Sequence, residues 1–231
     1  MYLQPKVNAE NAAPSPSDHR RLLRRVFILL ASQVATTIVG AVCTLWLEPV
    51  RRIVVRPELL LAVDGSMLCL VCIAPTWSRR AHGSATVLWL LTLCLTFHVA
   101  HVIGRVADPT VILEALGVTC AVFSTLGAAT LATRRDYSFL GAWLWTGTLS
   151  LFFFLLMQTV AVSPLLHVVI SGVGVVLFSG YILYDMASLL VLFRPEDAVE
   201  ATLSLYVDAV NLFLTLLGIL QGDDAEAIPD V

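Results

Sequence analysis

The sequence predicts an all-α polytopic membrane protein, a bundle of seven transmembrane helices, and three observations carry that expectation. Of its 231 residues 58% are hydrophobic and 13% are charged, about half the ~25% charge of an average soluble domain. Mean hydropathy is +0.86. The 14 basic and 17 acidic residues are clustered, and the gaps between them are seven long apolar stretches. Seven spans of ~20 residues occupy about 140 positions and leave ~90 for tails and loops, too few for a soluble catalytic domain. A net charge of −3 argues against nucleic acid as a partner.

A polar, basic tail fills residues 1–25. The spans then follow at Val26 to Leu47, Leu59 to Pro75, Ala85 to Gly104, Thr110 to Ala132, Phe139 to Val162, Leu166 to Phe193 and Val199 to Leu220. Ser163-Pro164 breaks the fifth from the sixth. Trp46, Trp77, Trp89, Trp143 and Trp145 stand near span ends, where amphipathic rings settle among headgroups. The tail contains Pro14, Pro16 and basic residues, so no cleavable signal is expected, and the first span is expected to act as its own insertion signal.

Orientation follows from the basic residues. Lys6, Arg20, Arg21, Arg24, Arg25, Arg79, Arg80, Arg134, Arg135 and Arg194 fall on one side of a seven-span fold, and Arg51, Arg52, Arg56 and Arg105 on the other. The N-terminus is therefore expected in the cytosol. An acidic tail over 221–231, with Asp223, Asp224, Glu226 and Asp230, would emerge on the far side. The polar stripe of the last segment also suits a re-entrant hairpin, which would return that tail to the cytosol.

Cys43, Cys69, Cys72, Cys94 and Cys120 all lie in apolar runs and read as small apolar side chains, not as a disulfide framework. Gly117, Ala121, Thr125 and Ala128 read as a close-packing seam.

Acids within the spans are the informative anomaly: Asp64, Glu114, Asp185 and Asp208. Each costs roughly 2.5–3.5 kcal/mol at a helix centre, and no Lys or Arg sits deep in a span to neutralise them. Asp185 and Asp208 form the sharpest pair. They are equidistant from the Arg194-Pro195-Glu196-Asp197 turn, so an antiparallel hairpin sets them at one depth, ~12–15 Å in at 1.5 Å per residue. Ser204, Asn211 and Thr215 share the helical face of Asp208, and Ser171, Gly174, Tyr181 and Ser188 accompany Asp185. Two carboxylates held close in a low dielectric cannot both ionise freely. They can share a proton, offer hard oxygens to a transient calcium ion, or hydrogen-bond neighbouring helices as packing.

The other polar candidates have weaker patterns. Glu114 sits one turn into its span, where a carboxylate also suits the positive end of the helix dipole. Asp64, near a span end, can reach headgroup water. His98, His101 and Arg105 share a face and could line a polar cavity that responds to pH, or simply pack.

At these residues the chain resembles the Bax inhibitor family of transmembrane proteins. Arg25-Val26-Phe27-Ile28-Leu29-Leu30-Ala31-Ser32-Gln33 resembles the start of the family's first span. Glu114-Ala115-Leu116 with Thr119 and Phe123, followed by Thr133-Arg134-Arg135-Asp136-Tyr137-Ser138 and Leu140-Gly141, resembles its central signature. Ser179-Gly180-Tyr181-Ile182-Leu183-Tyr184-Asp185 and Leu205-Tyr206-Val207-Asp208-Ala209-Val210-Asn211-Leu212-Phe213 resemble its closing helices. The resemblance implies a seven-helix bundle with the C-terminal helix central, a passive calcium leak from intracellular stores, and restraint of apoptosis. It also implies that Asp185 and Asp208 form a pH-sensing pair at the pore, and that the endoplasmic reticulum or another intracellular membrane holds the protein. The second-span arginine with which some members latch that pair is absent, and Asp64 stands in this span instead. The family has viral members, so a viral calcium-permeable channel is among the readings.

Three function classes follow. The first is a calcium-permeable leak channel gated by Asp185 and Asp208, with calcium as permeant ion and no cofactor. An intramembrane aspartyl protease is the second, for which Tyr184-Asp185 is half a signature. That class needs Gly-x-Gly before the second aspartate, where this chain has Leu205-Tyr206-Val207, so no enzyme is expected. The third is a non-conducting adaptor that binds apoptosis-regulating membrane proteins.

Overall fold

The structure, a computed structural model, describes residues 16–77, 83–133, 137, 139–160, 164–191, 193 and 195–226. Lys6, Arg79, Arg80, Arg134, Arg135, Arg194 and Asp230, used above to orient the chain, lie outside the described residues. All regular structure among the described residues is helical. The α-helices are α1 (Pro16–Trp46), α2 (Glu48–Val54), α3 (Pro57–Trp77), α4 (Gly83–Ile103), α5 (Pro109–Thr133), α6 (Leu140–Val160), α7 (Pro164–Val191) and α8 (Ala198–Glu226), with a 3-10 turn, Pro195–Asp197, leading into α8. Five of them, α1, α4, α5, α7 and α8, contain segments long and apolar enough to cross a membrane, and α6 contributes a shorter apolar stretch. The protein is thus a multi-span helical membrane protein, and the strict count of seven spans is not what these five segments establish.

Proline sets several starts. Pro16, Pro57, Pro109 and Pro164 each open a helix, where the missing N–H is one that no helix would have bonded. Asp108 caps α5: its Oδ1 accepts from the Thr110 N–H at 2.9 Å. The Thr110 backbone and hydroxyl together hold this exposed carboxyl below its ordinary value.

Three boundaries differ from expectation. The first helix begins at Pro16, not Val26, because Leu22, Val26 and Leu30 continue one buried stripe while Arg20, Arg21, Arg24 and Arg25 stay exposed. At 31 residues it rises about 46 Å, more than the ~30 Å of hydrocarbon, so its first turns can stand clear of the bilayer. The second difference is α2, which replaces an expected loop: Leu47 is extended, Pro49 starts the turn, and the Arg51 Nε donates to the Gly104 carbonyl at 2.9 Å. Third, α8 runs unbroken for 29 residues to Glu226, which leaves no reversal for a re-entrant hairpin and makes the start of the expected acidic tail helical.

Helix α8 packs against α1, α4, α5 and α7, so the C-terminal helix sits among four others. Leu205, Tyr206, Leu212 and Leu217 on it are fully buried. Polar contacts fix the neighbours. The Gln33 Nε2 donates to the Thr92 Oγ1 at 2.8 Å across α1 and α4, and the Thr37 hydroxyl bonds the Tyr206 hydroxyl at 2.6 Å across α1 and α8. The expected seam on α5 is not a seam. Gly117, Ala121, Thr125 and Ala128 are exposed, and the buried face of α5 is Val111, Ile112, Ala115, Thr119, Gly127 and Thr130. Two residues beyond Ala115 means about 200° around the helix, which turns Gly117 away from the bundle.

Candidate functional site: the α7–α8 hairpin

The helices α7 and α8 run antiparallel from the 3-10 turn, and each carries one stripe at helical spacing whose residues, Phe178 apart, are polar or small. On α7 the stripe is His167, Ser171, Gly174, Phe178, Tyr181 and Asp185. On α8 it is Ser204, Asp208, Asn211, Thr215 and Gly218. The glycines let the stripes meet. A side chain at Gly174 would run into the Thr215 Cγ2 at 2.5 Å, and one at Gly218 would meet the Ser171 Oγ at 2.9 Å and the His167 Nε2 at 3.3 Å.

At the end nearest the turn, the Asp185 and Asp208 carboxyls come within hydrogen-bonding reach of each other, and the Ser204 hydroxyl approaches Asp185. Asp208 is 6% exposed and Asp185 is half-buried. The Asp208 Oδ2 is buried without a partner. Neither α7 nor α8 contains a Lys or Arg. Two carboxyl groups in contact need one proton between them, or a cation in its place, since two bare carboxylates at that range repel strongly in a low dielectric. The geometry therefore offers two chemistries: a proton held and released, or transient oxygen coordination of a hard cation. Among the described residues no group of three or more His, Cys, Asp or Glu side chains gathers as a metal site, so coordination by this pair alone would be weak.

The other predicted residues scatter. Asn211 and Thr215 line a cavity of about 190 Å³ on the same hairpin, with His167, Ser171, Phe178 and Leu151. Tyr181 reaches sideways, its hydroxyl 2.9 Å from the Thr148 Oγ1 on α6, and its ring stacks on Phe178 with centroids 6.4 Å apart.

Asp64 and His98 meet each other, not the pair: the His98 Nδ1 lies 3.0 Å from the Asp64 Oδ1, bridging α3 to α4. His101 is buried with Nδ1 2.8 Å from the Val54 carbonyl at the end of α2, and Arg105 is exposed. The shared face of these three residues thus lines no common cavity, because α3 covers His98, α2 covers His101 and Arg105 stays exposed. Glu114 is exposed on α5, beside the buried Ala115, so it does not join the hairpin's stripe. A larger cavity, about 340 Å³, lies between α1, α4, α5 and α8, and its walls are mostly apolar, such as Leu30, Ile112 and Phe213.

Sequence reasoning had not assigned His167 and Phe178 to the site. Both fit the spacing of Ser171, Tyr181 and Asp185: extending the stripe toward the start of α7 would have found His167, and filling the gap between Ser171 and Tyr181 would have found Phe178.

A multi-span helical bundle whose central hairpin brings two acids face to face, one of them buried, is the class that fold and site define. The family model described as inhibitor of apoptosis-promoting Bax1 matches residues 19–225, and the chain belongs to this Bax inhibitor family. It is 32% identical over 222 residues to mouse protein lifeguard 4, covering 95% of this chain and 93% of the relative. It is 31% identical over 223 residues, with 95% and 93% covered, to a protein of vaccinia virus (strain Lister) named Golgi anti-apoptotic protein. A shorter match, 37% identical over 123 residues, covers 49% of this chain and 44% of Bax inhibitor 1 of Schizosaccharomyces pombe.

Proposed function

We propose that the protein is a calcium-permeable, pH-sensitive leak channel of an intracellular membrane, gated at Asp185 and Asp208, which lowers store calcium and thereby restrains apoptosis. The observation that carries this reading is the contact between two acids on a largely half-buried stripe that contains no Lys or Arg. From His167 to Asp185 the stripe rises about 27 Å at 1.5 Å per residue, close to the ~30 Å of hydrocarbon. A stripe of that length, with carboxyl oxygens at one end, suits a cation path. Holding a proton between the carboxyls would keep the site uncharged and closed to calcium. Releasing it would leave negative charge with which a calcium ion can interact.

In this reading the seven helices of 21 residues or more each cross the bilayer, and α2 lies at its surface. Counting charges gives a cytosolic N-terminus, which sets the turn before α8 on the same side. The endoplasmic reticulum is the default compartment, and the name of the vaccinia relative raises the Golgi. Calcium is the permeant ion, not a resident cofactor. No enzymatic role is proposed: Leu205-Tyr206-Val207 precedes Asp208 where an intramembrane aspartyl protease needs Gly-x-Gly.

The test is calcium entry into dye-loaded proteoliposomes containing the purified chain. Entry well above empty liposomes supports the channel, and entry equal to them at every pH between 6 and 8 rejects it. A second reading, a non-conducting adaptor for apoptosis-regulating membrane proteins, draws on one observation. Gly117, Ala121, Thr125 and Ala128 form an exposed small-residue face on α5, a surface that suits close approach of another membrane helix.

A further inference from the structure

The hairpin's polar stripe is interrupted once. Next to the start of α7 lies the 190 Å³ cavity, lined by His167, Ser171, Asn211 and Thr215 with Phe178 and Leu151. Ile170 and Leu214 complete the wall, so four of the eight lining side chains can bond water, and the volume is large enough for several molecules. Between the cavity and Asp185, on the same face of α7, stand Phe178 and Tyr181, stacked at 30°. Tyr181 is tied to α6 through Thr148, so its hydroxyl is satisfied sideways and its ring is fixed. Phe178 is part of the cavity wall and sits about 10 Å along the helix from Asp185.

We propose that this cavity is a water-filled antechamber opening at the α7 N-terminal side of the membrane, and that the Phe178–Tyr181 stack is the barrier separating it from the carboxyl pair. The inference rests on the channel reading of that pair and adds a second element to it: an apolar constriction in series with the acids. A hydrated cation could enter the antechamber, where hydroxyl and amide oxygens replace part of its water shell. It could not pass two apolar rings without shedding the remainder, which is how hydrophobic constrictions gate by dewetting. Anchoring Tyr181 to α6 makes the barrier depend on how α6 sits against α7. Gly147 and Gly180, where added side chains would strike Leu177 and Leu144 at 2.7 and 2.8 Å, keep those two helices close enough for the anchor.

Water access tests the proposal without reference to calcium. Cysteines are placed one at a time in the full chain at Ser171, in the antechamber, at Ser204, beyond the stack, and at Val176, which is 74% exposed on the outer face of α7. A membrane-impermeant methanethiosulfonate cation is applied from the α7 N-terminal side, and mass spectrometry locates the modified peptide, which separates it from native cysteines. Ser171→Cys should react at least tenfold faster than Val176→Cys. Ser204→Cys should stay unmodified from this side while Phe178 is present, and become modified once Phe178→Ala is added. The volume-keeping Phe178→Leu should preserve the barrier and controls for damage to the fold.

Equal rates at Ser171→Cys and Val176→Cys would overturn the antechamber. Modification of Ser204→Cys with Phe178 in place, or none after Phe178→Ala in a chain whose Ser171→Cys still reacts, would overturn the barrier. Calcium entry measured alongside should rise several-fold in Phe178→Ala. A wild-type chain that passes no calcium would count against the channel reading alone, because the labelling pattern decides the antechamber and its barrier independently.

Discussion

Two acids on the long helices of this molecule are held in opposite ways. Asp64 on α3 faces a base, His98 on α4, at 3.0 Å, and the two side chains are 38% and 31% exposed. Asp208 on α8 faces another acid, is 6% exposed, and keeps one oxygen without a partner. An acid beside a base can settle a proton between two groups that both gain from it, and partial exposure lets water or headgroups absorb what is left. An acid beside an acid has no such resolution. It must keep a proton or accept a cation, and its state changes the charge at the centre of the bundle. The first arrangement is a helix-to-helix tie. The second is chemistry waiting for a reactant, which is why the proposed gate is assigned to Asp185 and Asp208.

The contrast is open to direct manipulation. Its most severe test replaces the second acid by a fixed cation: Asp208→Arg gives Asp185 a permanent partner and should abolish the pH-dependent component of calcium entry, read in proteoliposomes between pH 6 and 8. Gly174→Val comes next. A side chain there would collide with Thr215, and overpacking of this kind costs about 1–3 kcal/mol. It should lower the thermal midpoint of the detergent-solubilised protein and push α7 from α8, weakening the pair without touching either acid.

Removing the tie is milder. His98→Gln should cost about 0.6 kcal/mol, the average for a hydrogen bond between membrane helices, with calcium entry per folded protein unchanged. A loss of entry as large as that of the Asp208 variants would erase the distinction drawn here. Smallest is Asp108→Ala at the start of α5. Its carboxyl is held below the ordinary value by Thr110, so its capping contribution is present above the unfolded pKa of ~3.9 and lost as pH falls through the lower folded value. Hydrogen exchange at the first turn of α5 should quicken in this variant at neutral pH and leave α7 and α8 unaffected.

What the sequence made legible follows the same division. The hairpin was readable because depth along two antiparallel helices is fixed by distance from their turn, so Asp185 and Asp208 had to lie near one level, and the spacing of Ser204, Asn211 and Thr215 named the inner face. The apolar runs gave the long helices to within a few residues at most ends. Lateral choices were not readable. Spacing placed His98 and His101 on one face but could not say that Asp64 would cover one and the Val54 carbonyl the other. Small residues on α5 looked like a packing seam, yet a membrane helix can present such residues outward at no cost in water exposure. For the same reason Glu114 could not be assigned from its position in the helix. The short α2 escaped because Arg51 and Arg52 beside Pro49 read as loop chemistry, and only its contact with Gly104 reveals why those residues coil.

The central claim is that Asp185 and Asp208 act as one unit, and a double-mutant comparison tests it most directly. Calcium entry would be followed from pH 6 to 8 for the wild type, Asp185→Asn, Asp208→Asn and the double variant, each normalised to folded protein in the liposomes. The prediction is that either single substitution flattens the pH profile as fully as the double does. Single variants that retain the wild-type profile, with a loss appearing only as independent contributions in the double, would contradict it.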